Sequence, residues 1–397
     1  MLKVHVSDLT RLINIDLVTF VPHGKRSGYF LLASATERAL GLKVPYKLKA
    51  YADYDEEEFD CDAFYSPVYF KENNIFQVHV DDLSVGRVGW IFPVQSLVSD
   101  QHDFAENHHF LRYAFVTFFK MLRGQLWAGD QVFAVAGFED QIELTDIYPS
   151  NLSVFSQSKG QTGKLPSFNP EDYLHSFYTY RFFWCGHAED ISQISSKIPA
   201  DKQLNTLTIS KMSEALNDEP YIRSLFRTHF RLENHPLVQF HLLYQIVELM
   251  INRISGTEIK GILDLAKTES TNIQDIGFRL KRLSGEEYKI RLLFDDYLSK
   301  KPGHTAALIS SCNDLIRHFD SEKRAVVDAL YRTRNLLVHN FHAVTSKDRN
   351  LNLVKAVNID FENLLADILS LYVEKNAAEE SFGSDPLAWL VYQVMNE

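Results

Sequence analysis

Three residues late in the chain are spaced to act together: Arg334, Asn335 and His339, within the run Leu330-Tyr-Arg-Thr-Arg-Asn-Leu-Leu-Val-His-Asn-Phe-His342. Arginine stays charged and presents a planar fork that matches phosphate oxygens. Histidine, with an ordinary pKa near ~6.5, can give and take a proton at neutral pH. The asparagine, next to the arginine and one turn before the histidine, can orient an imidazole or bond a phosphate oxygen. Breaking an RNA phosphodiester without a metal needs a base for the 2'-hydroxyl, an acid for the leaving 5'-oxygen and positive charge around phosphorus. These residue types can serve that chemistry.

Such residues act only if a regular element aligns them. From Glu322 to about Val344 there is no Pro or Gly, and Val326, Val327, Leu330, Leu337 and Val338 recur at helical spacing, so one stripe is expected to be buried in a bundle. Tyr331, Asn335 and His339 fall at i, i+4, i+8 on another face, flanked by Arg332 and Arg334. An earlier helix, around Phe240–Met250, carries a second polar stripe of His241, Gln245, Glu248 and Asn252 opposite Leu242, Ile246 and Leu249.

The Arg334-Asn335-x-x-x-His339 arrangement resembles the Arg-x4-His signature of the HEPN superfamily, and its wider wording looks most like the Apea-like branch. The resemblance covers roughly residues 230–375. It implies a helical bundle, a two-fold homodimer with both motifs lining a shared groove, and RNA cleavage leaving a 2',3'-cyclic phosphate and a 5'-hydroxyl. A role as a toxin or antiviral-defence effector follows from the same likeness. The Tyr-Gln-x-x-Glu wording of the earlier helix looks like the polar element that faces the motif in that branch, so Glu248 is expected to pair with Arg334 or His339. The expected catalytic set is Arg334, Asn335, His339 and Glu248. Arg332, Tyr331, His342 and Gln245 are expected to contact substrate.

Each of these residues also has a plainer role open to it. Arg334 with Glu248 can be a structural ion pair between helices, and His339 a surface or satisfied core histidine. His342 and Arg332 can be simply solvated, and Tyr331 can pack at the helix edge instead of stacking on a base. The rival reading for the whole chain is a non-catalytic HEPN-like bundle that dimerises or binds RNA or a nucleotide for a partner protein.

Composition bounds these readings. A chain of 397 residues can hold two domains, each with its own core. The net charge is -11, but it is unevenly spread. Residues 231–349 hold 18 Lys and Arg against 15 Asp and Glu, whereas residues 1–230 hold 21 against 29. The motif therefore lies in the mildly basic part, which permits an RNA partner without requiring one. Cys61, Cys185 and Cys312 are far apart and form no CxxC pair, so neither a disulfide framework nor a structural zinc site is expected. No apolar run reaches a membrane span and the first residues lack a signal-peptide pattern, so a cytoplasmic protein is expected, with no cofactor and no metal.

The expected layout is an α+β domain over 1–225, strand-rich and mixed, followed by an all-α HEPN-like bundle over 226–397. The first domain would sense a trigger or inhibitor protein, regulate, or select substrate. Strands are expected at Ile13–Val21, Gly28–Leu32, Ala63–Phe70, Ile75–Val80 and Val88–Phe92, with a hairpin turn at Asn73-Asn74. Asp53–Asp62 reads as a solvated acidic loop. His102, Asp103, Glu106, His108 and His109 lack the spacing of a helical zinc motif and read as a helix N-terminus with acids in its first turn. The helix Phe110–Leu122 should follow. A hairpin is expected from Val132–Val135 and Gln141–Leu144, a flexible loop over Ser156–Asp172, and a strand pair in Tyr173–Cys185. Gly160–Leu165 fails as a phosphate loop because Ser158 and Leu165 stand where Gly and Ser or Thr are needed.

Ser210 is expected to cap a helix at Lys211–Leu216, with Pro220–Leu232 after it. Bundle helices are expected at Pro236–Arg253, Glu258–Ala266, Ile273–Leu283, Glu286–Leu298, Thr305–Phe319, Glu322–Val344 and Phe361–Lys375, with a short one at Pro386–Met395.

Overall fold

A computed structural model describes residues 3–6, 17–22, 28–34, 41–50, 55–81, 86–124, 132–135, 142–149, 151–159, 168–185, 198–199, 205–233, 235–267, 272–298, 302–319 and 326–373. The chain divides into two compact units, residues 1–211 with 226–232, and residues 212–225 with 233–397. The first is strand-rich and mixed; the second is helical.

The strands of the first unit are β1 (Lys3–Val6), β2 (Leu17–Pro22), β3 (Tyr29–Ser34), β4 (Gly41–Pro45), β5 (Phe59–Tyr65), β6 (Val68–Tyr69), β7 (Phe76–Val80), β8 (Arg87–Pro93), β9 (Val132–Val135), β10 (Leu152–Ser158), β11 (Phe183–Trp184), β12 (Ile198–Pro199) and β13 (Thr206–Ile209). Six of them make the main sheet, in the order β11-β5-β10-β8-β7-β13, antiparallel except where β13 runs parallel to β7. A β2-β3-β4 meander and the parallel pairs β1-β9 and β6-β12 complete the described strands. The helices of this unit are α1 (Gln95–Val98), α2 (His108–Leu122), α3 (Leu144–Ile147) and α4 (Leu174–Thr179). The sheet core is aromatic, with Phe64, Phe155, Phe177 and Phe182 buried together.

Several expectations for this unit need correction. Ser156–Ser158 is strand, not loop, because β10 is hydrogen-bonded on both edges, and backbone pairing holds it without an apolar run. Tyr173–Cys185 is not a strand pair. Phe177 and Tyr178 sit on α4, and only Phe183–Trp184 joins the sheet. Val132–Val135 pairs with β1 rather than with a hairpin partner, and Leu144 opens α3 behind a Glu143–Asp146 capping box. The turn at Asn73-Asn74 forms, but β6 pairs with β12, and β7 with β8 and β13. Asp60 and Asp62 of the acidic run belong to β5 rather than to a loop. No acid occupies the first turn of α2. Its cap is Asn107, whose side chain accepts from the backbone of His109 and Phe110, and His102 is buried with Nε2 3.1 Å from the Ser96 carbonyl. Gly160–Leu165 and Pro386–Met395 lie outside the described residues.

The second unit comprises α5 (Glu214–Asn217), α6 (Pro220–Ser224), α7 (Pro236–Ala266), α8 (Ile273–Leu283), α9 (Glu286–Leu298), α10 (Pro302–Phe319), α11 (Val326–His339), α12 (Phe341–Thr345) and α13 (Asp348–Leu371). The helical path continues from α6 through a π-helical turn, Leu225–His229, to Phe230–Leu232. The cap of α5 is Ser213, not Ser210. Around α10 pack α11 and α13; around α7 pack α8, α9, α11 and α13. The interior is lined by Phe240, Val247, Leu315, Leu337, Phe361 and Leu365.

Three helix boundaries differ in an informative way. The break expected between Arg253 and Glu258 does not occur: Ser255 Oγ donates to the Ile251 carbonyl and Thr257 Oγ1 to that of Arg253, so the polar run stays helical. Conversely, the single helix expected to reach Val344 stops at His339, and Asn340 separates it from α12. The helix expected from Phe361 begins at Asp348.

Candidate functional site

On α11, Leu330, Thr333 and Leu337 are buried at i, i+3, i+7 and seat the helix in the bundle. That rotation leaves Arg334 and Asn335 half-buried and His339 exposed. Val338 was expected on the buried stripe but is 42 % exposed. The side chains of Val326 and Val327 lie outside those described.

Opposite α11 runs α7, and between them opens a cleft of about 420 Å³. His241, Tyr244, Gln245 and Glu248 line it from α7. Arg334, Leu337 and Val338 line it from α11, and Phe341 from α12. The spacings explain the lining: 241, 244, 245 and 248 fall on one face of α7, and 334, 337, 338 and 341 continue one stripe across the Asn340 interruption.

Arg334 is held from three sides. Its Nη2 is 3.9 Å from Glu248 Oε1. Its Nη1 donates to Asn335 Oδ1 at 3.1 Å. Its guanidinium carbon lies 5.8 Å from the Tyr244 ring centre. Tyr244 is fixed in turn, its hydroxyl donating to Glu286 Oε1 of α9 at 2.8 Å. Burial first, then that bond to a carboxylate, pushes the Tyr244 phenol well above its ordinary value. Gln245 accepts from the Tyr221 hydroxyl of α6. Burial, with the charge of Glu248 adding to it, also raises the Tyr221 phenol. The His241 imidazole is held below its ordinary pKa, by burial and by the positive charge of Arg334.

Of the residues singled out in the sequence, Arg334, Glu248 and Gln245 line the cleft, with Asn335 attached through Arg334. Glu248 meets Arg334 rather than His339. Arg332, His339 and His342 are exposed and Tyr331 is half-buried; none of the four lines the cleft. His241, Tyr244 and Phe341 were not foreseen as site residues. His241 carries a readable mark, sharing the helical stripe of Gln245 and Glu248, whereas Phe341 depends on the helix break at Asn340.

A scan of protein-family models finds no match to the chain, and neither does a search of curated proteins or of solved structures. Among the described residues, no three His, Cys, Asp or Glu side chains are grouped to hold a metal ion, and no helix is long and apolar enough to cross a membrane. The chemistry on offer in the cleft is a guanidinium beside the Glu248 carboxylate, a neutral-leaning imidazole and the Gln245 amide, with a second imidazole on the neighbouring stripe of α11. Such a set suits an anionic, phosphate-bearing ligand.

Proposed function

We propose that this chain is a metal-independent endoribonuclease of HEPN type, with the helical unit as a HEPN-like bundle acting as a homodimer. In this reading Arg334 grips the non-bridging oxygens of the scissile phosphate and carries the positive charge that the crowded phosphorus needs. Glu248 and Asn335 aim the guanidinium, and His339 moves a proton. The 2'-oxygen attacks phosphorus, the 5'-oxygen leaves, and the products are a 2',3'-cyclic phosphate and a 5'-hydroxyl. Tyr331, Arg332 and His342 would meet the RNA outside the cleft. The strand-rich unit would answer a protein trigger or inhibitor, or select the RNA, in a cytoplasmic toxin or antiviral-defence effector.

The observation that supports this best is Arg334 itself, a guanidinium at an open cleft, oriented by Glu248 and Asn335, little more than one turn from the exposed imidazole of His339. The second reading is a non-catalytic RNA- or nucleotide-binding module. It is favoured by one feature, that His339 does not line the cleft in which Arg334 sits.

The test is RNA cleavage by the purified chain in EDTA, beside Arg334→Ala and His339→Ala, with the fragment ends analysed. Cyclic phosphates made by the wild type and by neither variant support the nuclease. A wild type that binds RNA through Arg334 and never cuts it supports the binding module.

A further inference from the structure

A phosphodiester transesterification needs two proton-transfer groups, and α11 supplies one to the site, His339. The cleft holds a second imidazole on the facing helix. We infer that His241 is the general base of the site, taking the 2'-hydroxyl proton of an RNA whose phosphate is held by Arg334, while His339 is the acid. This rests on the nuclease reading above.

Geometry carries the assignment. His241 and Arg334 line the same cleft from opposite helices, so a phosphate bound to the guanidinium is presented to the His241 ring. Asn335 and His339 form the adjoining stripe of α11, about 100° round from the Arg334–Val338 stripe, and His339 is exposed. Base and acid are thus drawn from different helices, His241 from the α7 wall of the cleft and His339 from the stripe of α11 next to Arg334. The charged and titratable groups around His241 are Arg334 from α11, Glu248 and Tyr244 from its own helix, Tyr221 from α6 and, behind Tyr244, Glu286 from α9. Burial, and then the Arg334 charge, disfavour the imidazolium. A base must start neutral, so the environment favours the form the step uses.

The step balances. The 2'-O–H proton passes to His241 as the 2'-O–P bond forms; the P–5'-O bond breaks as His339 gives its proton to the 5'-oxygen. No oxidant, metal or water is consumed, and solvent exchange resets both rings.

A leaving group that needs no proton separates the two roles. Cleavage is measured on RNA and on nucleoside 3'-(nitrophenyl phosphate) esters of all four bases, for wild type, His339→Ala, His241→Ala and His241→Gln. Melting curves accompany these, with binding of a 2'-deoxy analogue. His339→Ala should lose about 10²–10⁴-fold on RNA and recover most of it on the aryl esters. Both His241 variants should lose a similar factor on both substrates while binding the 2'-deoxy analogue as the wild type does. The glutamine keeps a polar side chain of similar reach, so it gives the folded comparison if the alanine does not. Wild-type rates in His241→Gln, or its rescue by the aryl esters, would overturn the assignment alone. A wild type silent on both substrates would overturn the nuclease reading and this assignment with it.

Discussion

Glu248 Oε1 stands 3.9 Å from Arg334 Nη2, the carboxylate on α7 and the guanidinium on α11. That is beyond hydrogen-bond length, and the side chains are 43 % and 28 % exposed, so solvent screens much of their attraction. A pair of this kind contributes about 0–1 kcal/mol to stability. Its larger effect is directional. With Asn335 on Nη1 and the Tyr244 face alongside, Glu248 limits the directions in which the guanidinium can point.

Replacing Glu248 should therefore separate stability from activity. Under the proposed nuclease reading, Glu248→Gln is expected to leave the melting temperature nearly unchanged and to slow RNA cleavage by on the order of tenfold, equivalent to about 1.4 kcal/mol at the transition state. Arg334→Lys keeps the charge but loses the planar fork, and should cost more, on the order of a hundredfold. Melting curves beside cleavage rates check both. A Glu248→Gln variant that melts early and cuts at the wild-type rate would make the pair structural.

Gly256 lies inside the unbroken helix α7, and a methyl group built there meets nothing within 4 Å. Helical glycine is less favourable than alanine by about 0.5–1 kcal/mol, largely through backbone entropy. Gly256→Ala should raise the melting temperature by about 2–4 °C per kcal/mol gained. If the chain bends at Ser255-Gly256-Thr257 in solution, the substitution would lower it instead.

That glycine also marks where residue patterns stop being informative. Strand patterns fade after Pro236, and Asn272, Ser284 and Gly285 punctuate α8 and α9, so their bounds are readable from local chemistry. Ser255-Gly256-Thr257 looks like the same punctuation, yet its hydroxyls bond back to their own helix. The centre of the main sheet is hidden for a related reason. β10 reads Leu-Ser-Val-Phe-Ser-Gln-Ser, and its place is set by pairing with β5 and β8, which are distant in sequence. In the site, Arg334 and Glu248 stand on helical stripes and can be found. The distinction of His241 lies in its neighbour across the cleft, which no local pattern contains.

Gly89 sits in β8 opposite β10, where an added Cβ would lie 2.3 Å from the Ser156 carbonyl oxygen and 3.0 Å from the Phe155 ring. The nearer obstacle is backbone inside a strand bonded on both edges, so it cannot swing aside. Gly89→Ala should destabilise the first unit by about 1–3 kcal/mol or more, measured by urea unfolding. An unchanged midpoint would mean that β8 and β10 do not meet at this register.

Two buried groups of the same unit pull its stability in opposite directions in mild acid. His175 on α4 is 1 % exposed, and burial pulls its imidazole down to about 3. In the unfolded chain the ring takes its proton near pH ~6.5. As pH falls below that value the unfolded state binds a proton the folded state refuses, so stability drops continuously down to about pH 3. Asp62 works in the opposite sense. Burial raises its carboxyl to about 6, so the folded state gains relative stability as pH falls from there toward the ordinary carboxylate range. Between about pH 6 and 4 the two slopes are nearly equal and opposite, so the His175 contribution is read as the difference between the wild type and a His175 variant. Between pH 6.5 and 4.5 the His175 contribution should amount to about 2–3 kcal/mol. Urea unfolding of wild type and His175→Gln at pH 7.5 and 4.5 tests it. The variant should lose less stability than the wild type over that interval, by about that amount; equal losses would show that the ring is protonated in the folded protein.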